Sequence, residues 1–330
     1  MSLRILLLGA GFSRNWGGWL ANEAFEYLLG CPEVIANADA RAMLWKHKDA
    51  QGFEGALGEA RRHYILRSQD ASLLAQLNAL NDAVTQMFAA MNAGFFSITD
   101  FNLNNSRNCS VSDFLTHFDA IFTLNQDLLL ERHYIAPDPG ALSRYRRSSV
   151  IPCIQPRDHQ GSERWCGVCA PVAGEFGIPK GVQPYFKLHG SSNWHDNVHG
   201  APMMIMGVDK VKDRDLFPLL VWYQSQFEEM LCSGAARLMI IGYGFRDHHI
   251  NETIVSAVQQ GARLFIVGPS GANSATVVKS TYSDLAAIKE GETTLESALR
   301  SSLDGASRRA LREIFNTPAE FDKLQRFIRG

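Results

Sequence analysis

Arg4-Ile5-Leu6-Leu7-Leu8-Gly9-Ala10-Gly11-Phe12-Ser13 is an aliphatic run that ends abruptly in a glycine pair. An unbroken apolar run is what burial on both faces of a sheet demands, so Arg4 to Leu8 reads as an interior strand of a parallel sheet. Three later stretches have the same build. Ala120 to Leu124 runs into Thr123-Leu124-Asn125-Gln126-Asp127; Gln183 to Leu188 runs into His189-Gly190-Ser191; Arg237 to Ile241 runs into Gly242-Tyr243-Gly244-Phe245-Arg246-Asp247. One such loop needs no explanation beyond a turn, because glycine and polar residues end most strands. Four together predict more: in an open parallel sheet, ligands bind outside the carboxyl ends of the strands, so the loops should converge on one pocket.

Around these strands the chain reads as helical. From Asp70 to Asn92, Leu73, Leu74, Leu77, Leu80, Val84, Met87, Phe88 and Met91 recur at spacings of three and four, the stripe of a helix packed on a core. Asn22 to Gly30 reads as another helix, and Ile250 to Gln260 as the helix of a β-α-β crossover between Arg237–Ile241 and a further strand, Arg263 to Val267. Positions 136–184 hold breakers and little periodicity, and read as a loop-rich excursion. Past Gly268 the chain reads as helical and polar. Thr317-Pro318-Ala319-Glu320 there combines a capping threonine, a first-position proline and a third-position glutamate ahead of a helix from Pro318 toward Phe327. Phe321, Leu324 and Ile328 form its apolar stripe, which docks either on the body or on another subunit. The expected class is α/β: a Rossmann-like parallel sheet with helices on both faces, a helical insertion at about 20–115 and C-terminal helices. The expected division is a catalytic domain over 1–269 and a helical extension over 270–330.

A chain of 330 residues with 32 Lys and Arg against 34 Asp and Glu has no basic surplus, so a direct nucleic-acid or acidic-membrane partner is not expected. The run Arg144-Tyr145-Arg146-Arg147 reads as a solvated loop. No apolar run approaches the ~20 residues of a membrane helix, and Ile5 to Leu8 is too short for a secretory signal. The six cysteines are scattered through a chain too large to need staples, which fits a reduced, cytoplasmic setting.

A helix start after a strand and a glycine pair suits a pyrophosphate, since free N–H groups and a positive dipole end meet there. Gly9-Ala10-Gly11 fits that description. The dinucleotide fingerprint of hydride-transfer enzymes, however, needs a small residue where this chain has Arg14 and an acidic residue closing a second strand. Glu33 has suitable spacing, but the residues before it read as helix. An ordinary dehydrogenase is therefore disfavoured.

The motifs and their order resemble instead the sirtuin-like, silent-information-regulator family of NAD-consuming enzymes. The resemblance rests on Gly9 to Ser13, on Thr123, Asn125 and Asp127 in a T-x-N-x-D pattern, on Leu188-His189-Gly190, and on Gly242 to Asp247. It implies NAD+ as substrate and a role for each position. Ala10, Gly11 and Ser13 would contact the phosphates, with Gly9 and Phe12 in the same loop. Asn125 would sit by the nicotinamide ribose, with Thr123 beside it, and Asp127 would hold the carboxamide. His189 would be the catalytic base. Gly242 and Gly244 would let backbone approach the adenosine half, with Phe245 and Asp247 completing that loop. The chemistry agrees: breaking the nicotinamide–ribose bond builds positive charge on the sugar, so an amide oxygen can orient water while an imidazole takes a proton.

Deacylating members of the family carry two CxxC pairs after the histidine and an aromatic-glycine-glutamate segment that grips a peptide. Here the single pair Cys166-Gly167-Val168-Cys169 precedes His189, and Met203 to Gly207 stands in place of the peptide grip. No metal is expected, although Cys166, Cys169, His189, His195 and His199 lie close enough in sequence to leave zinc as an alternative. His248 and His249 are adjacent at a helix start and point apart, so one or both are structural. The pattern LHGSxNW followed by GYGFxDxxIN, present as Leu188 to Trp194 and Gly242 to Asn251, resembles the branch found in bacterial antiphage systems such as Thoeris and helicase- or Argonaute-paired modules. That branch implies hydrolysis of NAD+ to nicotinamide and ADP-ribose. An NAD-dependent protein deacylase and a non-catalytic nucleotide-binding regulator are the alternatives. The partners this implies are a homo-oligomer and a separately encoded helicase-, ATPase- or Argonaute-type protein that controls activity.

Overall fold

The computed structural model describes residues 2–49, 51–104, 109–135, 148–157, 163–197, 200–207, 209–274 and 295–330. The arginine run at 144–147 and His199 lie outside these. The strands in chain order are β1 (Arg4–Leu8), β2 (Asn102–Asn104), β3 (Cys109–Ser110), β4 (Ala120–Thr123), β5 (Ser149–Val150), β6 (Ile154–Pro156) and β7 (Cys169–Pro171). They continue as β8 (Gln183–Lys187), β9 (Gly190–His195), β10 (Pro202–Met204), β11 (Arg237–Ile241), β12 (Arg263–Val267) and β13 (Leu303–Ser307).

Seven of these form one sheet in the order β13-β12-β11-β1-β4-β8-β5, and each neighbouring pair is parallel. The aliphatic run is its middle: Ile5, Leu6, Leu7 and Leu8 are fully buried, as a strand covered on both faces must be. Register then fixes where the loops emerge. Leu8 lies level with Ile241 on one side and Thr123 on the other, and Thr123 lies level with Lys187. Four neighbouring strands thus end on one line, and the four motif-bearing loops leave from it together. The sheet is flanked by helices in a Rossmann-like α/β arrangement, with the helix His248–Gln259 crossing between β11 and β12.

The helical insertion holds Ala21–Leu29, Pro32–Ala36, Ala38–His47, Gly52–Leu66 and the long helix Ala71–Phe96. The Asp70 carboxylate caps that last helix by accepting from the Ser72 and Leu73 N–H groups. The expected stripe is buried at Leu77, Leu80, Val84, Met87, Phe88 and Met91, while Leu74 faces solvent in the first turn.

The part of the excursion described here, 148–157 and 163–184, is mainly turn and loop, but it also holds short strands: β6 and β7 join β9 and β10 in a second, four-stranded sheet, and β5 edges the main one. Strands of two and three residues are too short to show periodicity. The segment past Gly268 is not only helical, since β13 follows the helix Leu295–Ser302 and pairs with β12 as the seventh strand. Its sequence, Leu303-Asp304-Gly305-Ala306-Ser307, lacks apolar alternation because it lies at an edge. Thr317 and Pro318 hold the expected N-cap and first positions of the last helix, Pro318–Arg329, but without side-chain capping bonds: the Thr317 hydroxyl donates to the Glu313 carbonyl, and Glu320 accepts from Ser307 at 2.6 Å. That helix docks on its own chain, with Leu324, Phe327 and Ile328 buried and the Phe327 ring 5.3 Å from that of Phe265 on β12. Its apolar stripe is therefore not a free surface for a second subunit.

Candidate active site

The loops after β1 and β4 are joined by side chains. Ser13 donates to Asp127 Oδ2 at 2.7 Å, and Asn125 Nδ2 donates to the Gly9 carbonyl at 3.1 Å and to Ser13 Oγ at 3.0 Å. Thr123 ties the strand ends, its hydroxyl donating to the Leu8 carbonyl and accepting the Asn125 N–H. Asp127 Oδ1 accepts the Leu129 N–H. Burial pushes the Asp127 carboxyl up, against the pull of Lys187 and its hydrogen bonds. Because Asn125 donates both amide hydrogens, its oxygen is the end left to accept from another group.

The loops after β1 and β11 meet backbone to backbone. The Gly11 N–H donates to the Gly242 carbonyl at 3.0 Å, and a Cβ added at Gly11 would stand 2.7 Å from Gly242 Cα. A Cβ at Gly9 would stand 2.6 Å from the Gly242 carbonyl oxygen. Gly242 itself has φ of +67°, and a side chain there would overlap the Gly11 backbone. All three glycines are thus required by the contact between loops. In this arrangement the Gly11 N–H and the Ser13 hydroxyl have partners inside the protein, so either must exchange that partner to reach a phosphate. Phe12 and Phe245 turn their rings into the core, against Trp16 and Tyr243, while Ala10 and Gly244 are exposed. Phe245 holds a left-handed backbone, φ +55°, with its carbonyl accepting from Asn251 at 2.8 Å.

His189 sits where the loops after β8 and β11 approach. It is 3 % exposed, and its Nε2 has no hydrogen-bond partner among the described residues. Burial drives its imidazole down to about 3, opposed by the Asp247 carboxylate and reinforced by Lys210 and His249. It is therefore neutral at physiological pH. The His249 ring lies 5.7 Å away and is itself pushed down to about 4 by burial, so of the histidine pair His249 belongs to the site, while exposed His248 pairs with Glu252. Burial would raise the Asp247 carboxyl, but the neighbouring His189 imidazole, the Lys210 ammonium and a Lys210 hydrogen bond bring it below its usual range. Lys210 reaches Asp247 at 2.7 Å and Glu54 of the insertion at 3.0 Å. The segment after β10 straps the corner: the Ile205 N–H donates to the His189 carbonyl, and the Ile205 carbonyl accepts from Gln126 at 2.6 Å.

Lys187, Glu131, Lys210 and Glu54 escaped the sequence reading. Lys187, last in a strand buried throughout, donates to the Asp127 carbonyl at 2.5 Å and to Glu131 at 2.6 Å; both side chains are fully buried. A lysine after the apolar Pro184-Tyr185-Phe186 of a buried strand, and a glutamate four residues after Asp127, were the available signals. Lys210 and Glu54 carried none, because long-range packing alone brings them in, whereas His249 was marked by the adjacent histidines after Asp247. Among the described residues no group of three or more His, Cys, Asp or Glu side chains could hold a metal ion.

These loops define an open-sheet α/β protein whose candidate site lies at the carboxyl ends of β11, β1, β4 and β8. No family model matches the chain, and no curated protein matches it. Among solved structures it is similar to a Sir2 homolog–NAD complex, 10 % identical over 98 % of this chain and 90 % of that one, with a TM-score of 0.40. It is also similar to a structure reported for the mechanism and regulation of Sir2 enzymes, 13 % identical over 100 % of this chain and 94 % of that one, with a TM-score of 0.35. Both likenesses are too distant to assign a role to any residue.

Proposed function

We propose that this protein cleaves NAD+ between nicotinamide and ribose, releasing nicotinamide and ADP-ribose. The observation that carries the reading is His189: a neutral, buried imidazole with a free Nε2, on the loop next to the one that holds Asn125 and Asp127. As the glycosidic bond breaks, positive charge grows on the ribose. Asn125 Oδ1 orients the attacking water and His189 Nε2 accepts a proton. Asp127 takes the carboxamide once Ser13 releases it, and the glycine loops admit the phosphates and adenosine. No metal takes part.

The biological setting we infer is bacterial antiphage defence, in which NAD+ loss disables an infected cell. Its support is the LHGSxNW and GYGFxDxxIN pattern. Such an activity has to be restrained, which gives a homo-oligomer and a separately encoded helicase-, ATPase- or Argonaute-type partner their place in the proposal.

The test is chromatography of NAD+ incubated with the purified protein, alone and with the product of the neighbouring gene, with and without an acetylated peptide. Nicotinamide and ADP-ribose in equal amounts without peptide are expected. Consumption that requires the peptide would make the protein a deacylase. Bound but intact NAD+ in every arm would make it a regulator.

A further inference from the structure

Lys187 raises a question that stability does not answer. A buried ion pair gains little over a well-packed apolar pair, because the desolvation of two charges offsets their attraction. This pair is also incompletely satisfied: Glu131 Oε2 is buried with no hydrogen-bond partner among the described residues, and Glu131 opens a π-helical turn, Glu131–Ile135. A fold selected only for stability would fill the space with aliphatic side chains.

The ammonium's position supplies a second role. It sits at the carboxyl end of β8, two residues before His189, and crosses to the backbone of the loop after β4. Asp127 is consequently held from two sides, its carbonyl by Lys187 and its carboxylate by Ser13 and the Leu129 N–H. Resting on the NAD-cleavage reading, we infer that Lys187 is a positioning residue. Its ammonium, anchored by Glu131, fixes the turn carrying Asn125 and Asp127 against the strand that carries His189. Displacements of about 1 Å between reacting groups cost rate far more than binding, so a device that locks two loops together acts on turnover. Glu131 keeps the charge in place: without it, a buried ammonium would be unpaired.

The decisive variant is the double replacement Lys187→Met with Glu131→Leu, which removes both charges and keeps the volume. Positioning predicts a folded protein melting within a few degrees of wild type and a KM for NAD+ within about threefold. It also predicts a kcat lowered by about tenfold or more. Glu131→Gln, which still accepts from Lys187, should lower kcat by no more than about threefold. An active wild type with an equally active double variant overturns the inference alone. A wild type that releases no nicotinamide in any arm removes the underlying reading and the inference with it. If the double variant does not fold, Lys187→Arg decides: its guanidinium keeps the charge opposite Glu131 but cannot reproduce a point contact on the Asp127 carbonyl. Lowered kcat at unchanged KM supports positioning, and unchanged kcat overturns it.

Discussion

His189 combines two properties: it is buried, and its Nε2 has no hydrogen-bond partner among the described residues. Its removal should lower NAD+ turnover by about 100-fold or more with binding retained, and Asn125→Ala should do the same through loss of the oriented water. Turnover close to wild type in a folded His189→Ala protein would remove the base from the mechanism. The same burial has a consequence for stability. The folded chain holds the His189 pKa near 3, whereas the unfolded chain takes up a proton near pH 6.5, so lowering the pH favours unfolding from about 6.5 downward. His249, held near 4, adds in the same direction. Between pH 7 and pH 5, wild type should lose about 2 kcal/mol more than His189→Gln, which urea unfolding midpoints at the two pH values would show. The cysteine pair gives the residue-scale statement on metal. Cys166 and Cys169 stand alone, with no third His, Cys, Asp or Glu side chain among the described residues placed to complete a metal-binding group. Elemental analysis should find no stoichiometric zinc, and Cys166→Ser with Cys169→Ser should stay folded.

At the scale of elements, the contact between the loops after β1 and β11 changes what a glycine substitution would report. From sequence alone, Gly11→Val is expected to spare stability and block the pyrophosphate. The position its Cβ would occupy, however, lies 2.7 Å from Gly242 Cα, so the substitution pushes two strand ends apart. Gly242→Ala adds left-handed strain to the same overlap, and overpacking with strain should cost roughly 2–4 kcal/mol. A lowered melting temperature for both variants is expected; normal melting with weakened NAD+ binding would restore the simpler view. The strands that carry the site were legible because burial on both faces leaves an aliphatic run, and β1, β11 and β12 fall on the predicted residues. The short strands β6, β7 and β10 were not, since two or three residues cannot display a period. That the motif loops leave the sheet side by side could be read because chain order and the parallel sheet place them. Lys210 and Glu54 could not, because their proximity to His189 arises from how the insertion and the segment after β10 fold back, whereas His249 follows the Gly242–Asp247 loop directly and reads as structural from sequence.

For the whole molecule, the C-terminal segment binds the far edge of the sheet instead of extending away from it. β13 pairs with β12, and the helix Pro318–Arg329 covers both through Leu324, Phe327 and Ile328, with the Arg237 guanidinium 4.6 Å above the Phe327 ring. A chain shortened to Asn316 is the natural test of whether this helix mediates oligomers. The buried stripe gives a different expectation. Three side chains exposed at most 4 % carry roughly 5–9 kcal/mol of burial, comparable to the whole stability of an ordinary domain. Loss of the helix would also strip Glu320 from Ser307 on β13. The shortened chain should therefore aggregate or melt far below the full chain, and any change of mass in light scattering would follow from unfolding. The proposed homo-oligomer needs another face, which light scattering on the full chain at micromolar concentration would test. A shortened chain that stays folded, melts like the full chain and runs as a monomer beside an oligomeric full chain would return the interface to this helix.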